Sequence, residues 1–217
     1  DKDFDYLDSN KKEFVKTVLP IIINENQNIL MIRSFVNELK GKLETFRTLN
    51  NNEIRKLNDI AKKYNIKYQN KHKLDLVDEI LSNVDVIPNS IALAQAAIES
   101  GWGKSRFAKE YNALFGEYTY DDSEGVIPLE RDNGDTHLIK AFSSYSNSVE
   151  SYFDNINSHY AYEDFRDIRN IMRERNNFSN VNLLVNKLST YAEDENYINT
   201  IRQVIKTNNF SIFDQKT

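Results

Sequence analysis

The chain has 217 residues, with 28 Lys and Arg against 33 Asp and Glu and a net charge of −5 at pH 7, which favours one core with an appendage and argues against a nucleic-acid or anionic-membrane surface. It has no cysteine, which removes disulfides, thiol nucleophiles and zinc–thiolate sites. The most apolar stretch, VLPIIINENQNILMI, is broken by Asn24, Glu25, Asn26 and Gln27, short of the ~18 apolar residues of a spanning helix, so a soluble chain without membrane insertion is expected. The start at Asp1, without Met or a signal-like segment, fits a mature or trimmed chain.

Only 6 Gly and 3 Pro, with Leu and Ile at helical spacing, predict a mainly α protein. Ser9 or Asn10 caps a first helix whose Phe14, Val15, Val18, Ile22 and Ile29 share one side, with Pro20 kinking or splitting it. Amphipathic packing helices follow at 52–64 and 74–81. A further helix starts at Pro88-Asn89-Ser90 and ends where Gly101 supplies the glycine after the cap. A short helix covers 105–110, then LFGEYTY, GVIPLE and THLIKAF read as strands, with Asp132-Asn133-Gly134-Asp135 as a hairpin turn. Helical periodicity returns in SVESYFDNINSHY, YEDFRDIRNIMRER, NVNLLVNKLSTYA and ENYINTIRQVIKT. In the second of these, Arg166, Arg169, Arg173 and Arg175 alternate with Glu163, Asp167 and Glu174, which predicts pairing along the helix face.

The chemistry concentrates in ALAQAAIESGWGKSRFA, residues 92–108. Helical spacing puts Ala92, Gln95 and Glu99 on one face, and small neighbours leave room for a ligand beside the acid. In the last helical turn Glu99 meets the negative end of the helix dipole. With Trp102 shielding it from water, both effects favour the protonated form that a general acid needs. Glu is also an ordinary helix-ending surface residue and Trp102 an ordinary core residue, so spacing alone leaves both readings open. His72, His137 and His159 lack ligand spacing, and DDSEG is too short for a calcium loop, so no metal or other cofactor is expected.

The same string, followed by NALFGEY, resembles the signature of bacterial peptidoglycan N-acetylglucosaminidases of glycoside hydrolase family 73, particularly the Bax-type members. The resemblance runs from about 86 to 207 and is weaker over the N-terminal helices. It implies a lysozyme-like α+β fold with a small β-hairpin lobe beside a glycan cleft, residues 86–217 forming the catalytic domain and 1–85 an N-terminal helical segment packed on it. It implies Glu99 as the general acid and, less securely, Glu130 in IPLERDNG as the second carboxylate, with Glu117, Asp121, Asp122 and Glu124 as rivals. Gln95, Trp102, Asn112, Leu114, Phe115 and Gly116 would shape the cleft, and Tyr191, Asp194 and Tyr197 in YAEDENY would line it. Tyr152, Asn155 and His159 are supports for the site or plain core.

The implied reaction is cleavage of the β-1,4 bond after N-acetylglucosamine in peptidoglycan glycan strands. It proceeds by inversion with carboxylates about 6.5–9.5 Å apart, or with help from the substrate's own acetamido group. A lysozyme or lytic transglycosylase, which cut after N-acetylmuramic acid, and a non-catalytic wall-binding module are the alternatives. The substrate is anionic, so Lys104, Arg106 and Lys109 are either contacts for stem-peptide carboxylates or ordinary solvent-facing charges. A monomer acting in the bacterial cell envelope, periplasmic or secreted, is expected.

Overall fold

The computed structural model describes residues 4–127, 138–178 and 180–216. Helices α1 (Ser9–Glu44), α2 (Asn51–Lys63), α3 (Lys73–Asn83), α4 (Asn89–Glu99) and α5 (Arg106–Tyr111) precede three short strands, β1 (Tyr118–Thr119), β2 (Gly125–Val126) and β3 (Leu138–Lys140). Helices α6 (Tyr145–Ser158), α7 (Glu163–Glu174), α8 (Asn182–Val185) and α9 (Tyr197–Thr207) and a 3-10 segment, Phe210–Lys216, complete the order. The fold is mainly α with a small antiparallel sheet of order β1-β3-β2, in which Tyr118 faces Ile139 and Val126 also faces Ile139 across the other edge.

The chain divides into two units. The first takes residues up to Glu25, Pro88–Tyr152 and Asn199–Lys216; the second takes Asn26–Ile87 and Phe153–Ile198. The first unit is built around α4, where every residue from Asn89 to Ala97 is buried. Phe14, Val15, Val18 and Ile22 of α1, Val149 and Tyr152 of α6, and Ile201 and Phe210 belong to the same buried set. A helix apolar on all sides, as IALAQAA makes this one, is stable only when enclosed. The second unit buries Leu57 and Ala61 of α2, Leu76, Val77 and Ile80 of α3, and Phe165 and Met172 of α7. Its α2 opens with a full capping box, Asn50 accepting from the amides of Asn52 and Glu53 while Glu53 bonds back to the Asn50 amide.

Several expectations are corrected. Of the two outcomes expected at Pro20, splitting does not occur: α1 runs for 36 residues with the proline inside it; the proline is exposed, where water can take the hydrogen bond its ring denies the preceding turn. LFGEYTY pairs only at Tyr118–Thr119, because the Leu114 amide donates to the Ser148 hydroxyl instead of to a strand. NVNLLVNKLSTYA forms only about one helical turn, Asn182–Val185, then turns. The arginines of α7 do not pair along its face: Arg166 and Arg169 are buried. Arg166 donates to the carbonyls of Ile156 and His159, and Arg169 to those of Asn83, Asp85 and Val86. The Asp132–Asp135 turn and Glu130 lie outside the described residues.

Candidate active site

Glu99 is the last residue of α4, half-buried, and the chain leaves it through a tight stop. The Trp102 amide donates to the Ala97 carbonyl at 2.8 Å and the Gly101 amide to Ile98 at 3.3 Å, the paired bonds of a Schellman ending. Gly101 sits at φ +55°, where a Cβ is disfavoured. The Ser100 hydroxyl donates to the Ala96 carbonyl and accepts from the Gly103 amide, so the turn is fixed from both sides. Glu99 is thereby held at the carbonyl end of α4 rather than fraying into solvent.

The opposite wall is the loop after α5. Asn112 ends α5 in the left-handed conformation, φ +53°, and its amide group donates to the Phe142 carbonyl at 2.9 Å. Gly116 then presses on the acid: a Cβ added there would stand 3.1 Å from Glu99 Oε2, at φ +62°. One face of α6 holds this loop. Ser148 accepts from the Leu114 amide at 3.1 Å, Ser151 donates to a Glu117 carboxylate oxygen at 2.7 Å, and the Tyr152 ring stacks on Phe115 with centroids 4.0 Å apart. The Tyr152 hydroxyl donates to Gln95 Oε1 at 2.6 Å.

Gln95, Phe115, Tyr152 and Gly116 are thus brought together around Glu99. Gln95 and Phe115 are buried, which makes them the backing of the acid's wall in this structure. Trp102 turns its edges to Phe14 and Phe210, at centroid distances of 5.7 and 6.1 Å, with the Lys11 ammonium over its ring. Tyr191, Asp194 and Tyr197 cluster with one another in the second unit: the two rings stack 5.8 Å apart and nearly parallel, and the Asp194 carbonyl accepts from the Tyr197 amide. His159 caps a 3-10 turn, accepting from the Ala161 amide.

Of the rival carboxylates, Glu117 adjoins the residue that touches Glu99. Asp121 is an exposed turn-former held below the usual carboxylate range by hydrogen bonds from the Ser123 hydroxyl and amide. Glu124 stands 3.7 Å from Lys140. Ser148 and Ser151 are site residues that no motif in the sequence marks; with Tyr152 they recur at i, i+3 and i+4, the spacing that puts three polar groups on one helix face.

A glucosaminidase family model, described as mannosyl-glycoprotein endo-beta-N-acetylglucosaminidase, matches residues 74–210. Protein bax of Escherichia coli is 32% identical over 184 residues, covering 84% of this chain and 63% of that protein. Peptidoglycan hydrolase FlgJ of E. coli is 34% identical over 92 residues, 38% of this chain and 29% of that protein. The chain therefore spans less than two thirds of either relative's length. The crystal structure of the catalytic domain of the autolysin Auto from Listeria monocytogenes aligns with 88% of this chain and 97% of its own, at a TM-score of 0.45 and 18% identity. With the family model matching well over half of its residues, the chain belongs to the glucosaminidase family.

Proposed function

We propose that the chain is a peptidoglycan endo-β-N-acetylglucosaminidase that cleaves the β-1,4 bond between N-acetylglucosamine and N-acetylmuramic acid, with Glu99 protonating the leaving oxygen. The observation that carries this reading is the placement of Glu99, half-buried at the carbonyl end of a helix buried from Asn89 to Ala97, and against the bare α-carbon of Gly116. Family membership and the peptidoglycan hydrolase activity in FlgJ's name support the substrate class. Glu99 gives up its proton as the oxocarbenium-like transition state develops. Glu130 activates water or stabilises the developing charge, the role that the resemblance of IPLERDNG to the family sequence implies for it. A second reading gives that role to Glu117, favoured because it follows Gly116 directly and is oriented by Ser151.

Tyr191, Asp194, Tyr197, Trp102 and Asn112 are proposed to line the glycan path, backed by Gln95 and Phe115. The catalytic part is proposed to be 86–217, with 1–85 packed on it, in a monomer working in the cell envelope, where peptidoglycan lies. Digestion of purified peptidoglycan, followed by borohydride reduction and mass analysis, tests the reaction: reduced N-acetylglucosamine ends are expected. Reduced or anhydro muramic ends would place the chain with lysozymes or transglycosylases, and absence of cleavage would leave a wall-binding module.

A further inference from the structure

A pocket of about 280 Å³ opens beside the motif loop. Its walls are the first three turns of α1 (Asn10, Glu13, Phe14, Thr17, Val18) and Trp102, Gly103, Lys104 and the Tyr145 that begins α6. Phe14 fits under the loop because residue 103 has no side chain: a Cβ there would meet the Phe14 ring at 3.2 Å. The pocket is therefore built by the N-terminal helix and the catalytic motif together.

Its chemistry is amphoteric. Lys104 and Glu13 are exposed, and neither side chain forms an ion pair or hydrogen bond with another described residue. By contrast Lys11, Lys12 and Arg106 nearby are all engaged, with Asp8, Asp5 and the Phe107 ring respectively. Opposite charges in the lining of one pocket, which also presents an indole and a phenol, suit a ligand that carries both an ammonium and a carboxylate. A neutral sugar needs neither charge, and a polyanion would be repelled by Glu13.

We propose that this pocket binds the free end of the peptidoglycan stem peptide, Lys104 taking its terminal carboxylate and Glu13 its side-chain ammonium. The assignment rests on the peptidoglycan reading of the site. Reach is consistent with it: Trp102 is three residues from Glu99, so Cα steps of about 3.8 Å keep the pocket wall within roughly 11 Å of the acid. A stem of four residues at about 3.3 Å each covers roughly 13 Å from the muramic sugar beside the scissile bond. The N-terminal helix then has a function besides packing, as the outer wall of a peptide subsite.

Trp102 is the chain's one tryptophan, so intrinsic fluorescence reports occupancy of the pocket directly. The probe is the tetrapeptide L-Ala-γ-D-Glu-L-Lys-D-Ala, titrated into the full chain with calorimetry in parallel. A saturable emission change is expected, with Kd raised about five-fold or more by Lys104→Ala or by amidating the peptide's C-terminus, the loss of one charge pair. Glu13→Ala or acetylation of the peptide lysine is expected to do the same. No saturable signal and no heat up to about 10 mM peptide, or equal Kd for wild type and both variants, would overturn the assignment. The peptidoglycan digest separates the two claims: cleavage without peptide binding removes the subsite alone, whereas peptide binding without cleavage leaves the subsite and removes the glucosaminidase reading.

Discussion

At the scale of single residues, the tightest constraint on the acid comes from a glycine. Gly101 and Gly116 both take positive φ, at +55° and +62°, but an added Cβ meets nothing within 4 Å at Gly101 and Glu99 Oε2 at 3.1 Å at Gly116. Alanine at either position carries left-handed strain of about 1–2 kcal/mol. Only at Gly116 does it also push the carboxylate. Gly116→Ala is therefore expected to lower kcat by about ten-fold or more, because small misplacements of a reacting group are expensive, while Gly101→Ala changes thermal stability by a similar amount with little effect on kcat. Steady-state rates and melting curves on the pair check this; equal kcat losses would show that strain, not contact with Glu99, is responsible. The motif glycines and the acid were legible from sequence because ESGWG and LFG are local strings. The contact between them was not, since Gly116 and Glu99 are joined only by the fold.

At the scale of elements, α4 depends on a partner far along the chain. Its N-cap residue is Pro88, which offers no side-chain acceptor. Asp214 supplies it, Oδ1 accepting from the Ser90 amide at 2.8 Å and Oδ2 from the Ser90 hydroxyl at 2.6 Å, while Asn89 donates to the Phe213 carbonyl. Asp214→Ala is expected to cost about 1–2 kcal/mol, as the loss of an N-cap does, read as a lower urea midpoint with unchanged slope; an unchanged midpoint would contradict the cap. Sequence reading placed the start and stop of α4 correctly from Pro88 and Gly101, which are signals of backbone geometry. It assigned no role to FSIFDQK, because a cap lent from 124 residues away has no local signature. The short strands and the truncated α8 have the same origin: their backbone groups bond to side chains and turns that periodicity does not encode.

At the scale of the whole molecule, stability against acid is tied to Asp85. It is fully buried in the second unit, accepts from Arg173 Nε and Nη2 at 2.8 and 2.6 Å, and stands 3.4 Å from Arg33 Nε. Burial alone would raise its pKa, but the Arg173 hydrogen bonds and the charges of Arg169, Arg33 and Arg173 outweigh it and hold the carboxyl below its ordinary value. A depressed acid stabilises the fold above its unfolded pKa, and that contribution is lost as pH falls below about 4 towards the folded value. Asp214 runs the other way: burial raises it, despite its bonds from Ser90, so its share is largest when protonated and declines as pH rises through its folded pKa. Asp85→Asn leaves three arginines around a neutral group and is expected to cost about 3–5 kcal/mol at neutral pH, with a flatter loss of stability below about pH 4. Urea titrations at two pH values check both, and a variant as acid-sensitive as wild type would contradict the assignment. The central claim is that Glu99 is the proton donor, and it is tested most directly by comparing wild type and Glu99→Gln on purified peptidoglycan at matched melting temperature. Loss of release of reduced N-acetylglucosamine ends by about 10²-fold or more is predicted; a Gln variant that retained near-wild-type release would contradict it.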